Sequence, residues 1–483
     1  MKKFELSILA ILFAFYYLPA QNQRYYIHIR DKSYRPEVMK SDKNDGSVKV
    51  RSKITVFNNV LNKYKFKQFQ QAFPTAKTKW LKEVYFVECD NSEHFGNEIS
   101  KTFKQTIPLV EQLCEPELTS SFAPDDLYYT AGVQTNLDLI HAEEAWDIAC
   151  DFPKINVAIT DSYFDLSHED LTFSEVLQNE VHESYYHGTF VAGCFGATTN
   201  NSKGIASTGG LNTNLVVTTN WANDGQVLLL AQQGYRVINC SWYNSCSFSS
   251  TQKAIYDEIR DSCNTVVVFG AGNGSIHCGG NKIYPASYES CLSVTSVGHK
   301  NNIGVLEDGV AKNWKDVHER FVGDPSTAHQ HNDAVDLCAP GYDVYSTIFQ
   351  NTYSYSSGTS FAAPQVAGVA AMMLAVNPNL SASEVINILK STADTTIYDI
   401  PENANYIGRI GSGRLDAYQA VKTACSSDFN NESFTGTDTK TGCYITASNS
   451  SVINGANITF NATKEITLLS GFEVQYGSYF EAN

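Results

Sequence analysis

Between residues 126 and 424, short apolar runs alternate with longer stretches in which apolar positions recur every three to four residues. The runs are INVAIT (155–160), NLVVTT (214–219), VINCSW (237–242), VVVFGA (266–271) and LSVTSV (292–297). A run with little polar alternation predicts a strand buried on both faces, and helices between such strands predict parallel crossovers. Helical periods fall at 249–263, at the apolar stretch 361–376 and from Ser381 to Ala393, where Ser381 and Glu384 make a capping box. The expectation is an α/β domain, an open and mostly parallel sheet flanked by helices, with its ligands gathered beyond the carboxyl ends of the strands.

The flanks follow other rhythms. Residues 25–29, 66–73, 84–88 and 109–113 read as strands, and 56–64 and 93–105 as helices. Their order, β-α-β-β-α-β, is the ferredoxin-like α+β arrangement. After Cys443 the apolar residues keep period two, at Ile458, Phe460 and Ala462, Ile466 and Leu468, then Phe472, Val474 and Tyr476. That predicts a small all-β module. At the front, Lys2 and Lys3 precede an apolar run from Leu6 to Leu18 that ends at Pro19-Ala20. It reads as a secretory signal peptide cleaved after Ala20 and is too short for a membrane span. The expected divisions are 1–20, 21–125, 126–424 and 425–483, and the expected location is outside the cytoplasm.

Composition narrows the function. With 43% hydrophobic and 18% charged residues over 483 positions, the chain is globular in type. A net charge of −16 argues against a nucleic-acid partner bound through its phosphates. The charge is uneven: residues 1–117 carry 19 basic and 13 acidic side chains, net +6, and the remainder 16 and 38, net −22. All 12 cysteines follow the signal and none forms a CxxC pair, so disulfides are expected in place of a zinc ribbon. Cys194, Cys240 and Cys338 lie in apolar runs and are expected to be buried. Cys246, Cys263, Cys278, Cys291, Cys425 and Cys443 are the candidates for bridges, with no pairing fixed by the sequence.

Four polar residues stand where a nucleophile needs them. Asp161 follows a strand, His187 opens HGTFVAG at a helix start, Asn273 follows VVVFGAG, and Ser360 lies in GTSFAAP ahead of the apolar helix. A hydroxyl needs an imidazole to take its proton, and the imidazole needs a carboxylate to fix its tautomer. The oxyanion needs donors, which a side-chain amide and a backbone N–H at a helix start supply. Each residue alone has an ordinary reading as a cap, turn or strand end. The order Asp, His, Asn, Ser in one chain is the informative feature.

That set resembles the subtilisin-like serine proteases (subtilases, peptidase S8) over about 126–424, in HGTFVAG, GTSFAAP, VVVFGAGN and VDLCAPG. The resemblance implies a serine endopeptidase acting through an acyl-enzyme on protein or peptide substrates. It implies that Asp161 orients the imidazole, His187 is the base, Ser360 the nucleophile and Asn273 an oxyanion donor. It further implies that Ser241 and Trp242 pair with the extended substrate and that Gly270, Ala271 and Gly272 line the primary pocket. Residues 21–117 resemble the family's inhibitory propeptides, which makes the chain's own propeptide an expected partner. No cofactor is required; the resemblance is compatible with calcium, for which the sequence assigns no ligands. Tyr163 and Tyr243 depart from the family pattern, as does a longer connection between Val297 and Val335.

Other chemistries fare worse. His182 and His187 are five apart, about 140° around a helix, so with Glu183 they do not build a zinc-protease face. No GxSxG or P-loop occurs. His318, His329 and His331 read as polar-loop histidines. The rival from another class is an inactive binding or adhesion protein on the same fold, which a missing motif residue would favour.

Overall fold

The computed structural model describes residues 23–39, 47–73, 78–89, 93–113, 122–180, 186–274, 277–298, 306–307, 310–311, 329–399 and 401–483. The chain divides into two compact units, Met1–Ser120 and Ser121–Asn483. The signal-like run, His182, Glu183, His318 and most of the long connection after Val297 lie outside the described residues.

In the first unit the strands are β1 (Gln23–His28), β2 (Phe66–Gln71), β3 (Val84–Cys89) and β4 (Leu109–Leu113), with helices α1 (Thr55–Leu61) and α2 (Glu93–Thr102). The sheet is antiparallel in the order β2-β3-β1-β4, as a ferredoxin-like chain path requires. Tyr25, Ile27, Phe57, Val87, Phe95 and Ile99 form its core. A short hairpin, Glu37–Met39 with Lys49–Arg51, was not expected from the polar sequence around it.

The second unit is built on a seven-stranded sheet. Its strands are β5 (Ile155–Thr160), β6 (Phe173–Gln178), β7 (Thr213–Thr218), β8 (Val237–Cys240), β9 (Val266–Gly270), β10 (Leu292–Val297) and β11 (Leu337–Pro340). The order is β11-β10-β9-β8-β5-β7-β6, and every neighbouring pair is parallel. The central strands are the fully apolar runs, as sheets covered on both faces demand. Edge strand β6 is mostly exposed and has no apolar face, which is why its pattern does not stand out.

Helices α3 (His187–Gly196), α4 (Asp224–Gln232), α5 (Ser250–Asp261), α6 (Thr359–Val376), α7 (Ala382–Ser391) and α8 (Ala417–Cys425) flank the sheet. Side-chain caps at Asn223, Ser249, Ser381 and Asp416 start four of them, Ser381 with the expected capping box. Helix α6 is long and apolar enough to cross a membrane, but it is a core helix: every one of its residues except Ser360 is buried. A hairpin, Val344–Ile348 with Thr352–Ser356, lies just before it.

The C-terminal module is a parallel stack. Strands β12 (Ser426–Asn430), β14 (Thr437–Ser448), β16 (Asn457–Leu468) and β18 (Tyr479–Ala482) form one sheet. The short strands β13 (Ser433–Phe434), β15 (Ser451–Val452) and β17 (Glu473–Val474) form the other. Ser426 faces Tyr444 and Asn457 faces Tyr479, so each rung repeats the last 18 to 22 residues on, as in a solenoid. Phe434, Ile445, Val452, Ile458 and Phe460 fill it.

Among the described residues two disulfides are formed, Cys246–Cys278 and Cys425–Cys443, the second tying the end of α8 to β14. Cys263 and Cys291, also candidates for bridges, are free thiols; Cys291 lies in the core beside Tyr256 and Tyr288. Cys194, Cys240 and Cys338 are buried thiols as expected.

Candidate active site

Parallel register brings the chemistry together. Thr160 and Phe269 both pair with Cys240 of β8, so Asp161, Ser241 and Gly270, the last residue of β9, stand side by side where the strands end. They open into a cleft of about 920 Å³ lined by Asp161, His187, Trp242, Tyr243, Asn273, His277 and Ser360 among others.

Asp161 is 3% exposed, and its Oδ1 accepts from the Ser162 N–H at 2.7 Å and meets His187 Nδ1 at 2.8 Å. This fixes the Nδ1–H tautomer and leaves Nε2 as the free base. Burial disfavours the imidazolium, but the adjacent carboxylate outweighs it, so the His187 pKa is raised above 6.5. The helix start can sit here only because residue 188 is glycine: a Cβ there would lie 2.3 Å from the Tyr163 carbonyl oxygen. The contact is with the backbone of residue 163, so it ties the His motif to the chain path after Asp161 whatever side chain stands there.

Ser360 is the second residue of α6, where backbone N–H groups have no partner within the helix. Its Oγ donates to the Ser241 carbonyl at 3.4 Å and is not hydrogen-bonded to His187. Pro364 is the sixth residue of the helix, and it lacks the N–H that would bond the Ser360 carbonyl. That carbonyl accepts from Ser241 Oγ instead, at 2.8 Å.

Asn273 is held by its oxygen. Oδ1 accepts from the Thr359 N–H at 2.9 Å and from Thr359 Oγ1 at 3.1 Å. The donor end, Nδ2, has no protein acceptor among the described residues. A Cβ at residue 358 would stand 3.5 Å from that nitrogen, so Gly358 keeps the space before it clear.

The expected substrate-binding residues divide. Ser241, Trp242 and Tyr243 line the cleft. The Trp242 side chain is structural: Nε1 donates to Thr160 Oγ1 at 2.7 Å, and the ring meets Phe269 edge-on at 5.2 Å. It leaves only the backbone of residue 242 for an incoming strand. Gly270, Ala271 and Gly272 are closely packed. A Cβ at 270 would strike Thr359, Ala271 is buried, and Gly272 lies against the carboxamide of Gln330, which donates to the carbonyls of His277 and Asn281. The space expected to be walled by these glycines is therefore partly filled by Gln330, from the end of the long connection. Gln330 and His277 carry no motif signal, and Thr359, though inside GTSFAAP, was not singled out from sequence.

Among the described residues no three His, Cys, Asp or Glu side chains form a metal cluster. His329 is buried with its pKa pushed down to about 4, chiefly by burial. The buried carboxylates Asp126 and Asp170 come nearest to a cation site, but each accepts N–H donors. Asn201 turns its amide nitrogen to Asp170 and its oxygen to the Lys203 N–H, so it offers the pair no oxygen and no calcium is assigned here.

The family model described as the subtilase family matches residues 152–413. Thermitase from Thermoactinomyces vulgaris is 30% identical over 318 residues, covering 62% of this chain and 100% of that protein. A thermophilic serine proteinase from Bacillus sp. (strain AK1) is 29% identical over 332 residues, 65% of this chain and 73% of its own length. A solved chain described under proteases from Pseudoalteromonas arctica PAMC 21717 is 23% identical, with a TM-score of 0.48, over 63% of this chain and 100% of that one.

Proposed function

Because the chain belongs to the subtilase family, we propose that it is an exported serine endopeptidase made as a proenzyme, with Ser360 as its nucleophile. The observation that carries this reading is the 2.8 Å bond between His187 Nδ1 and buried Asp161, in the cleft that also holds Ser360. His187 Nε2 takes the proton as Ser360 Oγ attacks the scissile carbonyl, and returns it to the leaving amine. The weak bond from Ser360 Oγ to Ser241 gives way as the hydroxyl turns toward His187. The Asn273 amide and the Ser360 N–H stabilise the oxyanion. Water then enters and His187 activates it to release the acyl group. No cofactor takes part in any step.

The apolar run behind Lys2 and Lys3 supports export. Residues 21–117 carry 17 basic and 12 acidic side chains, and this +5 segment precedes a remainder of net −22, which supports an inhibitory role before removal. The cut falls near 114–130, and Ser360 makes it.

Mass measurement and N-terminal sequencing of wild type beside Ser360→Ala test both parts. The reading expects wild type to be shortened at that junction and to hydrolyse unstructured peptides, and the variant to remain whole and inactive. An intact junction in an active wild type would reject self-processing; a variant as active as wild type would reject the serine mechanism.

A further inference from the structure

Two anchors hold Asn273, and only one belongs to the motif around Ser360. The other is His277, whose Nδ1 accepts the Asn273 backbone N–H at 3.0 Å. That N–H has left the parallel ladder, which ends at Gly270. The chain on either side has little steric preference, since Gly272 and Gly274 both take positive φ, 112° and 72°. Between two such residues, the hydrogen bond that the Asn273 N–H donates to His277 determines how residue 273 is turned.

His277 is itself well fixed. Its ring lies 4.6 Å from that of Tyr243 across the cleft, its carbonyl accepts from Gln330, and Cys278 is bound to Cys246. Acceptance at Nδ1 requires the proton on Nε2. A second proton, on Nδ1, would set donor against donor and break the bond.

We propose that neutral His277 is a positioning residue for the oxyanion site, holding Asn273 so that Nδ2 meets the developing charge, and that its protonation releases this hold. The inference rests on the serine-protease reading above. Burial lowers the His277 pKa, so the neutral form prevails at neutral pH. Among the described residues, the titratable groups that face it are the Tyr243 phenol and the His329 imidazole, which with its pKa near 4 stays neutral above pH 5. Two histidines therefore shape the acid limb of activity: His187, with a raised pKa, titrates first as pH falls, and His277 second.

The test uses the full chain, purified after any self-processing, as wild type, His277→Ala, His277→Asn, Asn273→Ala, the His277→Ala/Asn273→Ala double variant and Ser360→Ala. A chromogenic peptide amide is the substrate. His277→Ala should lower kcat about tenfold, the loss of one hydrogen bond, with KM within about twofold. His277→Asn, whose Oδ1 can accept the same N–H, should recover most of kcat at pH 8. Below the His187 transition, log kcat/KM should steepen past slope one in wild type as His277 is protonated, settling about tenfold lower before slope one resumes, and keep slope one throughout in His277→Asn. In the Asn273→Ala background, His277→Ala should cost nothing further. Wild-type kcat in His277→Ala, equal losses in both backgrounds, or a wild-type limb that keeps slope one would each overturn the proposal. Should His277→Ala fail to fold, the slopes of wild type and His277→Asn decide it. Activity in Ser360→Ala would instead sink the serine-protease reading itself.

Discussion

Ser241 and Ser360 are bonded to each other twice, each hydroxyl donating to the other's carbonyl, at 2.8 Å from Ser241 and 3.4 Å from Ser360. The short bond exists because Pro364 leaves the Ser360 carbonyl without a helical donor. One wall of the cleft is thereby tied to the first turn of α6. The long bond is weak, so Ser360 Oγ can leave it for His187 at little cost.

Replacing Pro364 restores the missing N–H. Pro364→Ala should raise thermal stability, since an interior proline costs a helix about 3 kcal/mol. The restored bond competes with Ser241 for the Ser360 carbonyl and shifts the nucleophile, so kcat should fall about tenfold. Thermal unfolding and steady-state kinetics on one preparation check both. Higher stability with full activity would show that the Ser241 tie has no part in placing Ser360.

Asp161→Asn keeps the shape and loses the charge. A carboxamide nitrogen can donate to His187 Nδ1, stabilising the tautomer in which Nε2 carries the proton, and kcat should fall by about 10⁴. Because the Asp161 carboxylate raises the His187 pKa, the midpoint of the acid limb should lie above 6.5 in wild type and drop in the variant. An unchanged midpoint would dissociate the carboxylate from the imidazole.

Stability should carry a pH signature far from the cleft. Burial first, and then neighbouring carboxylates, raise Asp126 and Asp170 from 3.8 to about 6. The folded state holds these protons more tightly than the unfolded chain, so their contribution is complete below about pH 4 and is lost as pH rises through 6. A two-unit shift corresponds to about 3 kcal/mol at most per carboxylate. With chelator present, wild type should lose more stability between pH 5 and pH 7.5 than Asp126→Asn in denaturant melts. Parallel curves would refute the assignment.

The Cys425–Cys443 bridge closes a short loop, 18 residues apart in sequence, and should contribute about 3 kcal/mol to holding the module. Cys425→Ala/Cys443→Ala should lower the midpoint of unfolding and speed proteolysis of the module. Peptide hydrolysis at 25 °C should not change, since neither residue lines the cleft.

The parts of the fold that the chain's pattern reveals are those where burial is complete on both faces. The five apolar runs are central strands because no polar alternation is tolerated there. Strand β6 escapes because five of its six residues are exposed, and the stack at the C-terminus reads as strands without revealing that they pair in parallel. At the site, Asp161, His187, Asn273 and Ser360 are conspicuous because each ends a strand or begins a helix. Thr359, His277 and Gln330 act through contacts between segments distant in sequence or within an irregular loop, and no periodicity marks them. Gln330 against Gly272 makes the same point: what fills the space beside a glycine depends on another part of the chain.

The most direct measurement is intact mass and peptide mapping after exposure to a fluorophosphonate, which reacts with serine hydroxyls activated by a neighbouring imidazole. Wild type should gain one adduct, located on Ser360, at a rate that falls in acid as His187 is protonated, and Ser360→Ala should gain none. No adduct on folded, processed wild type, or an equal adduct on Ser360→Ala, would contradict the account.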